Sequence, residues 1–361
     1  MSKIPENNSA DSLIDYIRDN GPVSVHEYMS RCLSAYYSNK DPLGRDGDFI
    51  TAPEISQMFG ELIGVWAAET WNQMGQPGAI KLIEAGPGRG TLMSDALRAC
   101  KALPQFLQSL SVHLVEVNEA LREKQRKVLS SCGVEVHHYG SLSEIEDGPS
   151  IIIANEFFDA LPVRQLQWSE GRWVERCVSF ADDGLQFCIF EVPVDDKTLQ
   201  QLQNLTSKEP EEGDIFEYRE RCLSVIEEVS RREKTALLLI DYGHEESGYG
   251  DSLQAVREHK YAEVLSDPGL ADLTTQVDFN QLAKFSENLG LSYFGPMTQG
   301  QFLLMLGLQQ RLNQLSGNAT EDQRELLKSG AIRLVAPEQM GVLFKVMCIQ
   351  ASDLPKPVPF P

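Results

Sequence analysis

Residues 80–90, Ile-Lys-Leu-Ile-Glu-Ala-Gly-Pro-Gly-Arg-Gly, place an acid, Glu84, two positions ahead of three alternating glycines, Gly86, Gly88 and Gly90. Glycine turns tightly and lets a ligand approach where a Cβ would obstruct it. An apolar run feeding such a loop, followed by a helical stretch from Thr91 to Leu103, is the nucleotide-binding corner of an open α/β sheet. The spacing then chooses among nucleotides. A dinucleotide fingerprint, G-x-G-x-x-G, needs its third glycine at position 91, where this chain has Thr91. The pattern E-x-G-x-G-x-G suits adenosylmethionine, which has no pyrophosphate but carries amino and carboxylate groups that need a backbone cradle and a nearby acid.

Three further apolar runs deliver polar residues to places where a parallel sheet binds ligands, the carboxyl ends of its strands. Val112-His113-Leu114-Val115 runs into Glu116, an acid placed to accept hydrogen bonds from both ribose hydroxyls of an adenosine; the alternative is an ordinary solvated carboxylate. Ile151-Ile152-Ile153-Ala154 runs into Asn155-Glu156-Phe157-Phe158-Asp159. Acids beside apolar walls are costly unless paired, and a guanidinium would pair them in bidentate fashion. Glu156 is the first candidate for substrate or cofactor contact and Asn155 and Asp159 the next, against the reading in which Asn155 or Asp159 caps a helix and the phenylalanines fill the core. A fourth run ends in Asp241-Tyr242-Gly243-His244, whose acid is a second anchor or a structural group. Arg89 either pairs with a ligand carboxylate or faces solvent.

The elements that must position these residues follow from periodicity. Residues 9–38 read as two short helices separated by Asn20-Gly21-Pro22, and 46–50 as a loop. Thr51 and Glu54 have the spacing of a capping box for a helix whose buried face is 55, 58, 59, 62, 63 and 66 and which ends near Gly75. Apolar runs at 79–85, 111–117, 134–138, 150–154 and 236–240 predict five parallel strands, with helices at 91–103 and 119–130 and a short turn or helix at 141–147 as crossovers. Alternating segments around Glu170-Gly171 and Asp182-Asp183-Gly184 predict antiparallel hairpins over 163–192, and 195–234 reads as helical with a loop at 206–214. Residues 242–275 read as a long, weakly structured loop, a candidate lid together with 48–54. A helix at 277–289, a strand at 291–295, helices near 299–314 and 320–329 and a strand at 342–349 close the chain, and 355–361 reads as an extended, mobile tail. The domains expected are a helical extension over 1–78, an α/β domain over 79–350 with an insertion at about 163–234, and a flexible tail over 351–361.

The chain has 361 residues, 42% hydrophobic and 24% charged, enough for a full core. Its net charge of −21 repels phosphate backbones and anionic membranes, so nucleic acid is not the expected partner; a cationic protein is electrostatically easier, and the alternative is acidity that only keeps the protein soluble. Seven scattered cysteines without a C-x-x-C, and six histidines without H-E-x-x-H, argue for reduced thiols and against a metal site; His137 and His138 read as structural. There is no apolar or arginine-rich leader and no run of 18 apolar residues, so neither export nor membrane insertion is expected.

The segments Gly47–Gln57, Glu84–Met93, Val115–Val117, Asn155–Pro162, Ile240–Gly243 and Ala271–Thr274 together resemble, in the same order, the MidA-type adenosylmethionine-dependent methyltransferases, whose mitochondrial members are arginine methyltransferases that assist assembly of respiratory complex I. The resemblance spans about residues 10 to 350. It implies a class I, Rossmann-like methyltransferase fold: a mostly parallel sheet with an N-terminal helical extension and a β-rich insertion before the fifth strand. It also implies S-adenosyl-L-methionine as cofactor, with Thr51, Glu84, Gly86, Pro87, Gly88, Gly90, Glu116 and Asn155 on the cofactor side. Glu156, Asp159 and Asp241 are the candidate catalytic residues, the acceptor is an arginine of a protein substrate, and a homodimer is an allowed assembly. Without a leader the chain looks bacterial and cytoplasmic. Two rival readings remain in view: a non-catalytic assembly factor that retains the pocket, and a nicotinamide-dependent oxidoreductase, which Thr91 disfavours.

Overall fold

The computed structural model describes residues 10–39, 51–181 and 184–361, so the loop expected at 46–50, and with it the first three residues of the 48–54 segment, lies outside the described residues. The chain divides into two compact units, one drawn from residues 1–49, 159–224 and 244–284, the other from 50–158, 225–243 and 285–361.

The second unit is built on seven strands of one sheet: β1 (Ile80–Ala85), β2 (Leu110–Val115), β3 (Val136–Tyr139), β4 (Ser150–Asn155), β5 (Thr235–His244), β6 (Ser292–Thr298) and β7 (Phe344–Gln350). Their order across the sheet is β6-β7-β5-β4-β1-β2-β3. Neighbours from β3 to β5 pair in parallel, and β7 runs antiparallel to both β5 and β6. Every residue of β4 is buried, and all of β1 except Lys81, which is why both read as continuous apolar runs instead of alternating ones. The chain steps outward through β1, β2 and β3 and then returns to the other side of β1 for β4. That reversal, between β1 and β4, is the topological switch point where open α/β sheets open a crevice beyond their strand ends.

Helices Gln57–Gln73 and Thr91–Cys100 pack into the same core as Leu82, Val112, Ile151 and Leu238. They approach backbone to backbone: a Cβ on Gly64 would lie 2.5 Å from the Ala96 carbonyl oxygen, and one on Gly60 would lie 2.7 Å from Asp95 Cβ. The expected capping box at Thr51 does not form. Thr51 precedes only a four-residue helix, Ala52–Ile55, and makes no side-chain cap, while Glu54 Oε1 instead accepts a 2.6 Å bond from the Thr91 hydroxyl. The carboxylate prefers this short charge-assisted contact to a backbone amide. The long helix starts anew at Ser56, an extended residue whose hydroxyl accepts from Met58 N. The C-terminal segment, expected to be mobile, is packed. Phe360 is 5% exposed within the core, its ring 5.7 Å from that of Phe302, and Gln350 Nε2 donates to the carbonyls of Leu354 and Pro355.

The first unit contains the two expected N-terminal helices, Ala10–Asn20 and Val25–Asn39, and the expected hairpin strands Arg164–Ser169, Arg172–Ala181 and Gly184–Pro193. Ile215–Tyr218, inside a stretch expected to be helical, is a fourth strand pairing with Arg164–Gln167; its Phe216 is buried while helices Asp196–Leu205 and Glu220–Ser230 flank it. The long loop expected from 242 to 275 also holds structure. Strands Gln254–Arg257, Lys260–Ala262 and Asp272–Thr274 form a small antiparallel sheet whose hairpin turns at Glu258 and His259, both at positive φ (52° and 62°). Ala255 and Leu273 pack with Leu13, Ile17 and Val25. Strands of three or four residues give too short an alternation to stand out in sequence, and tertiary burial decides them.

Candidate functional site

The register of the sheet brings four strand ends level: Ala85 pairs with Val115 and with Ala154, and Asn155 pairs with Ile240. Gly86, Glu116 and Asn155 therefore stand level just beyond the aligned edge, on the two sides of the switch point, with Glu156 and Asp241 one residue further out.

Gly86, Gly88 and Gly90 have φ of 68°, 52° and 82°, left-handed values that only glycine adopts without strain. The loop closes by a bond from Gly90 N to the Pro87 carbonyl (2.8 Å) and stays tied to β2 by one from Gly86 N to the Val115 carbonyl (3.1 Å). A Cβ on Gly86 would strike the Phe157 ring at 2.9 Å, so glycine is also required by space. Gly90 is the N-cap of helix Thr91–Cys100 and offers no side-chain cap, so the helix begins with amide donors that its cap residue does not satisfy. Arg89 is half-buried on the loop.

Glu84 is buried just beneath this loop, 3% exposed, and its Oε2 has no hydrogen-bond partner among the described residues. Burial alone pushes its carboxyl up to about 8. Across the switch point, Asn155 donates through Nδ2 to Glu156 Oε1 (3.1 Å), and its buried Oδ1 also lacks a partner. A buried oxygen left without a donor costs about 1–3 kcal/mol, so the two that flank the backbone cradle are places where a ligand's donors would be stabilising.

Glu116 is buried at the end of β2. Its Oε1 accepts from Asn118 N (2.8 Å), and its Oε2 lies 3.4 Å from Gln125 Nε2. Burial raises its pKa, and the bonds from Asn118 and Gln125 oppose the rise. Each carboxylate oxygen has a second lone pair, so this arrangement leaves acceptor capacity for a diol. Gln125 was not among the residues singled out by sequence. Its signal is a polar residue within the buried stripe Leu121, Gln125, Leu129 of helix Glu119–Leu129.

Glu156 has φ of 50°, a strained value for a non-glycine residue, and its Oε1 accepts the Ala52 amide (3.0 Å) at the start of the helix that follows Thr51. Asp241, fully buried, takes the Phe158 amide on Oδ2 (3.0 Å) and the Tyr242 amide on Oδ1 (3.0 Å). Its carboxylate thus fastens the 155–158 turn to the end of β5. Lys345, buried on β7, is Asp241's partner in the sheet register and donates through Nζ to the Val342 carbonyl. Asp159 belongs to the first unit, where its carbonyl accepts from Thr275 N (2.9 Å) and its buried carboxylate, with that of Asp272, raises the pKa of the Tyr37 hydroxyl beyond the effect of burial. Tyr37 also bonds to Asp272 Oδ1 (3.1 Å). The structure thus groups Thr51, Glu84, Pro87, the three glycines, Glu116, Asn155, Glu156 and Asp241 in one unit, with Asp159 in the other.

These residues fit S-adenosyl-L-methionine. The orphaned carboxyl of Glu84 matches its ammonium group, the glycine cradle admits its carboxylate, and Glu116 matches its ribose.

Comparison with known proteins bears on the same point. Residues 62–297 match the model of a family described as S-adenosyl-L-methionine-dependent methyltransferase. The chain is 36% identical to the mitochondrial protein arginine methyltransferase NDUFAF7 homolog of Drosophila melanogaster over 368 residues, covering 92% of this chain and 82% of that protein. It is 34% identical to the Xenopus laevis protein arginine methyltransferase NDUFAF7, covering 94% and 85%. Among solved structures, a Burkholderia thailandensis protein bound to S-adenosyl-homocysteine superposes with a TM-score of 0.81 at 25% identity, covering 94% of this chain and 91% of that one.

Proposed function

This chain belongs to the S-adenosyl-L-methionine-dependent methyltransferase family, and from that premise we propose that it methylates an arginine side chain of a protein substrate. The observation that carries the cofactor half is the buried, unpartnered Glu84 carboxyl under a three-glycine loop at the switch point. The acceptor half is supported by the names of the relatives and by acids at the neighbouring strand end. A subunit of a respiratory complex is the first substrate class to test, since the family resemblance implies one.

When bound, S-adenosyl-L-methionine supplies an electrophilic methyl carbon on a sulfonium. The protein's part is alignment and electrostatics. An arginine cation is a poor nucleophile, and in this reading the Glu156 carboxylate, held by the Ala52 amide and Asn155, localises the positive charge on one side of the guanidinium. Asp241 keeps the turn carrying Glu156 in place through the Phe158 amide. Asp159 stays a candidate on the sequence argument. No described helix is long and apolar enough to cross a membrane. All seven cysteines are free and five are buried, which suits the reducing cytoplasm that the reading includes, along with a homodimer.

The decisive experiment is mass spectrometry of methylated proteins from cells with and without the gene. One methylarginine lost with the gene and restored by the purified enzyme names the substrate; an unchanged methylarginine inventory overturns the arginine assignment. On that substrate, Glu156→Gln is expected to bind cofactor normally and lose at least about tenfold in turnover. Full turnover would remove Glu156 from the reaction.

A further inference from the structure

We propose that Gln125 is the positioning residue of the cofactor site, a single buried amide that sets both the glycine loop and the ribose-binding carboxylate. The inference rests on the reading of Glu116 as the ribose acceptor and goes beyond it. Gln125 is fully buried on helix Glu119–Leu129. Its Nε2 donates to the Gly88 carbonyl at 2.7 Å and lies 3.4 Å from Glu116 Oε2, and its Oε1 is 3.0 Å from His138 Nε2. A primary amide has two N–H donors, and both face acceptors that have no proton to give in return, a carbonyl and a carboxylate. The amide can therefore sit only one way round, and His138 must donate through Nε2 to complete it. One side chain thus ties together the loop after β1, the acid after β2 and the histidine on β3.

Two consequences follow for the ligand. The Gly88 peptide is fixed in the middle of the cradle, where a rotation would change which backbone groups face a ligand. Glu116 receives a donor that opposes the pKa rise caused by its burial and so favours the carboxylate, the form that accepts from two hydroxyls. The close fit is visible from the loop side as well, since a Cβ on Gly90 would lie 3.4 Å from Gln125 Cγ.

The test is calorimetric titration of the full chain with S-adenosyl-homocysteine and with its 2′-deoxy analogue, with thermal melting recorded for each variant. Wild type is expected to favour the ribose ligand by about tenfold or more. Gln125→Met, of similar volume, is expected to fold, to bind S-adenosyl-homocysteine about tenfold more weakly and to lose most of that preference. Gln125→Glu, which sets a charge against the Gly88 carbonyl and Glu116, is expected to be weaker still and serves if the methionine variant does not fold. Glu116→Gln should abolish the preference by itself. If Glu116→Gln abolishes it and the folded Gln125 variants keep the wild-type ratio, the reading of Glu116 stands and the proposal for Gln125 falls. If Glu116→Gln keeps the ratio, both fall.

Discussion

Glu84 shows how one side chain couples the fold to its ligand. Its buried carboxyl, pushed up to about 8, holds its proton at neutral pH when nothing faces it. Because the folded value lies above the ordinary 4.5, the stabilisation linked to this proton is complete below that value and is lost as pH rises through about 8. A ligand ammonium beside it reverses the preference and favours the carboxylate. Binding of S-adenosyl-homocysteine at pH 6.5 should therefore release about one proton, and affinity should rise by up to about tenfold per pH unit between about 5 and 8, then level off. Calorimetry in buffers of different ionisation enthalpy measures the release directly; Glu84→Gln should bind more weakly and release none. Proton uptake, or no exchange, in the wild type would show that Glu84 does not face the ammonium. Glu84 and its glycines were legible in sequence because their spacing is local. Gln125 was harder to find because its three partners lie on different strand ends and meet only through the fold. The roles of Asp241 and Glu156 were obscured for another reason: a carboxylate that accepts backbone amides and one that awaits a substrate are the same letter.

At the scale of elements, the glycine loop is only as well placed as the helix it feeds. Helix Thr91–Cys100 is pressed on helix Gln57–Gln73 where Gly60 and Gly64 remove the side chains, and the contact is reinforced by Arg98 and Arg311, which both reach the buried Glu61. In an isolated helix Gly→Ala is favourable by about 1 kcal/mol. Here a methyl on Gly64 would meet the Ala96 carbonyl oxygen at 2.5 Å and its Cα at 2.7 Å, both backbone atoms that cannot step aside. Gly64→Ala should therefore destabilise by about 1–3 kcal/mol in spite of its better propensity. Gly78→Ala, with nothing within 4 Å of the added carbon, should be within about 0.5 kcal/mol of wild type. Urea unfolding monitored by circular dichroism compares the two; equal midpoints would mean the helices are not in backbone contact. The long helix itself was legible from its apolar face, as were the parallel strands other than the half-buried β3 from their near-unbroken apolar runs, which buried strands carry. Its break at Ser56 was not, because it depends on Glu54 turning to Thr91, a residue beyond the glycine loop. The short strands of 215–218 and 254–274 also escaped, since three or four residues carry no period of their own.

At the scale of the whole chain, the end of the sequence contributes to the core of the unit that holds the site. Residues 355–361, rich in proline, read as a solvated tail when taken alone, because nothing local shows a partner for Phe360. In the structure that ring fills a space bounded by Phe302 and by Gly295, where an added Cβ would lie 3.2 Å from it. The preceding turn is held by Gln350, on the strand that pairs with both β5 and β6. Truncating a buried phenylalanine costs about 3–5 kcal/mol. Phe360→Ala should thus lower stability by about 3–5 kcal/mol, and removal of residues 351–361 by at least as much. Val358→Ala, at an exposed position of the same segment, should change it by less than about 0.5 kcal/mol. Denaturant midpoints of the three variants against wild type separate the alternatives. A free tail would leave all of them unchanged, whereas a packed one predicts a loss confined to Phe360→Ala and the truncation. Since β7 lies beside β5, which carries Asp241, the same two variants should also weaken cofactor binding at temperatures near their melting points while leaving it intact well below them.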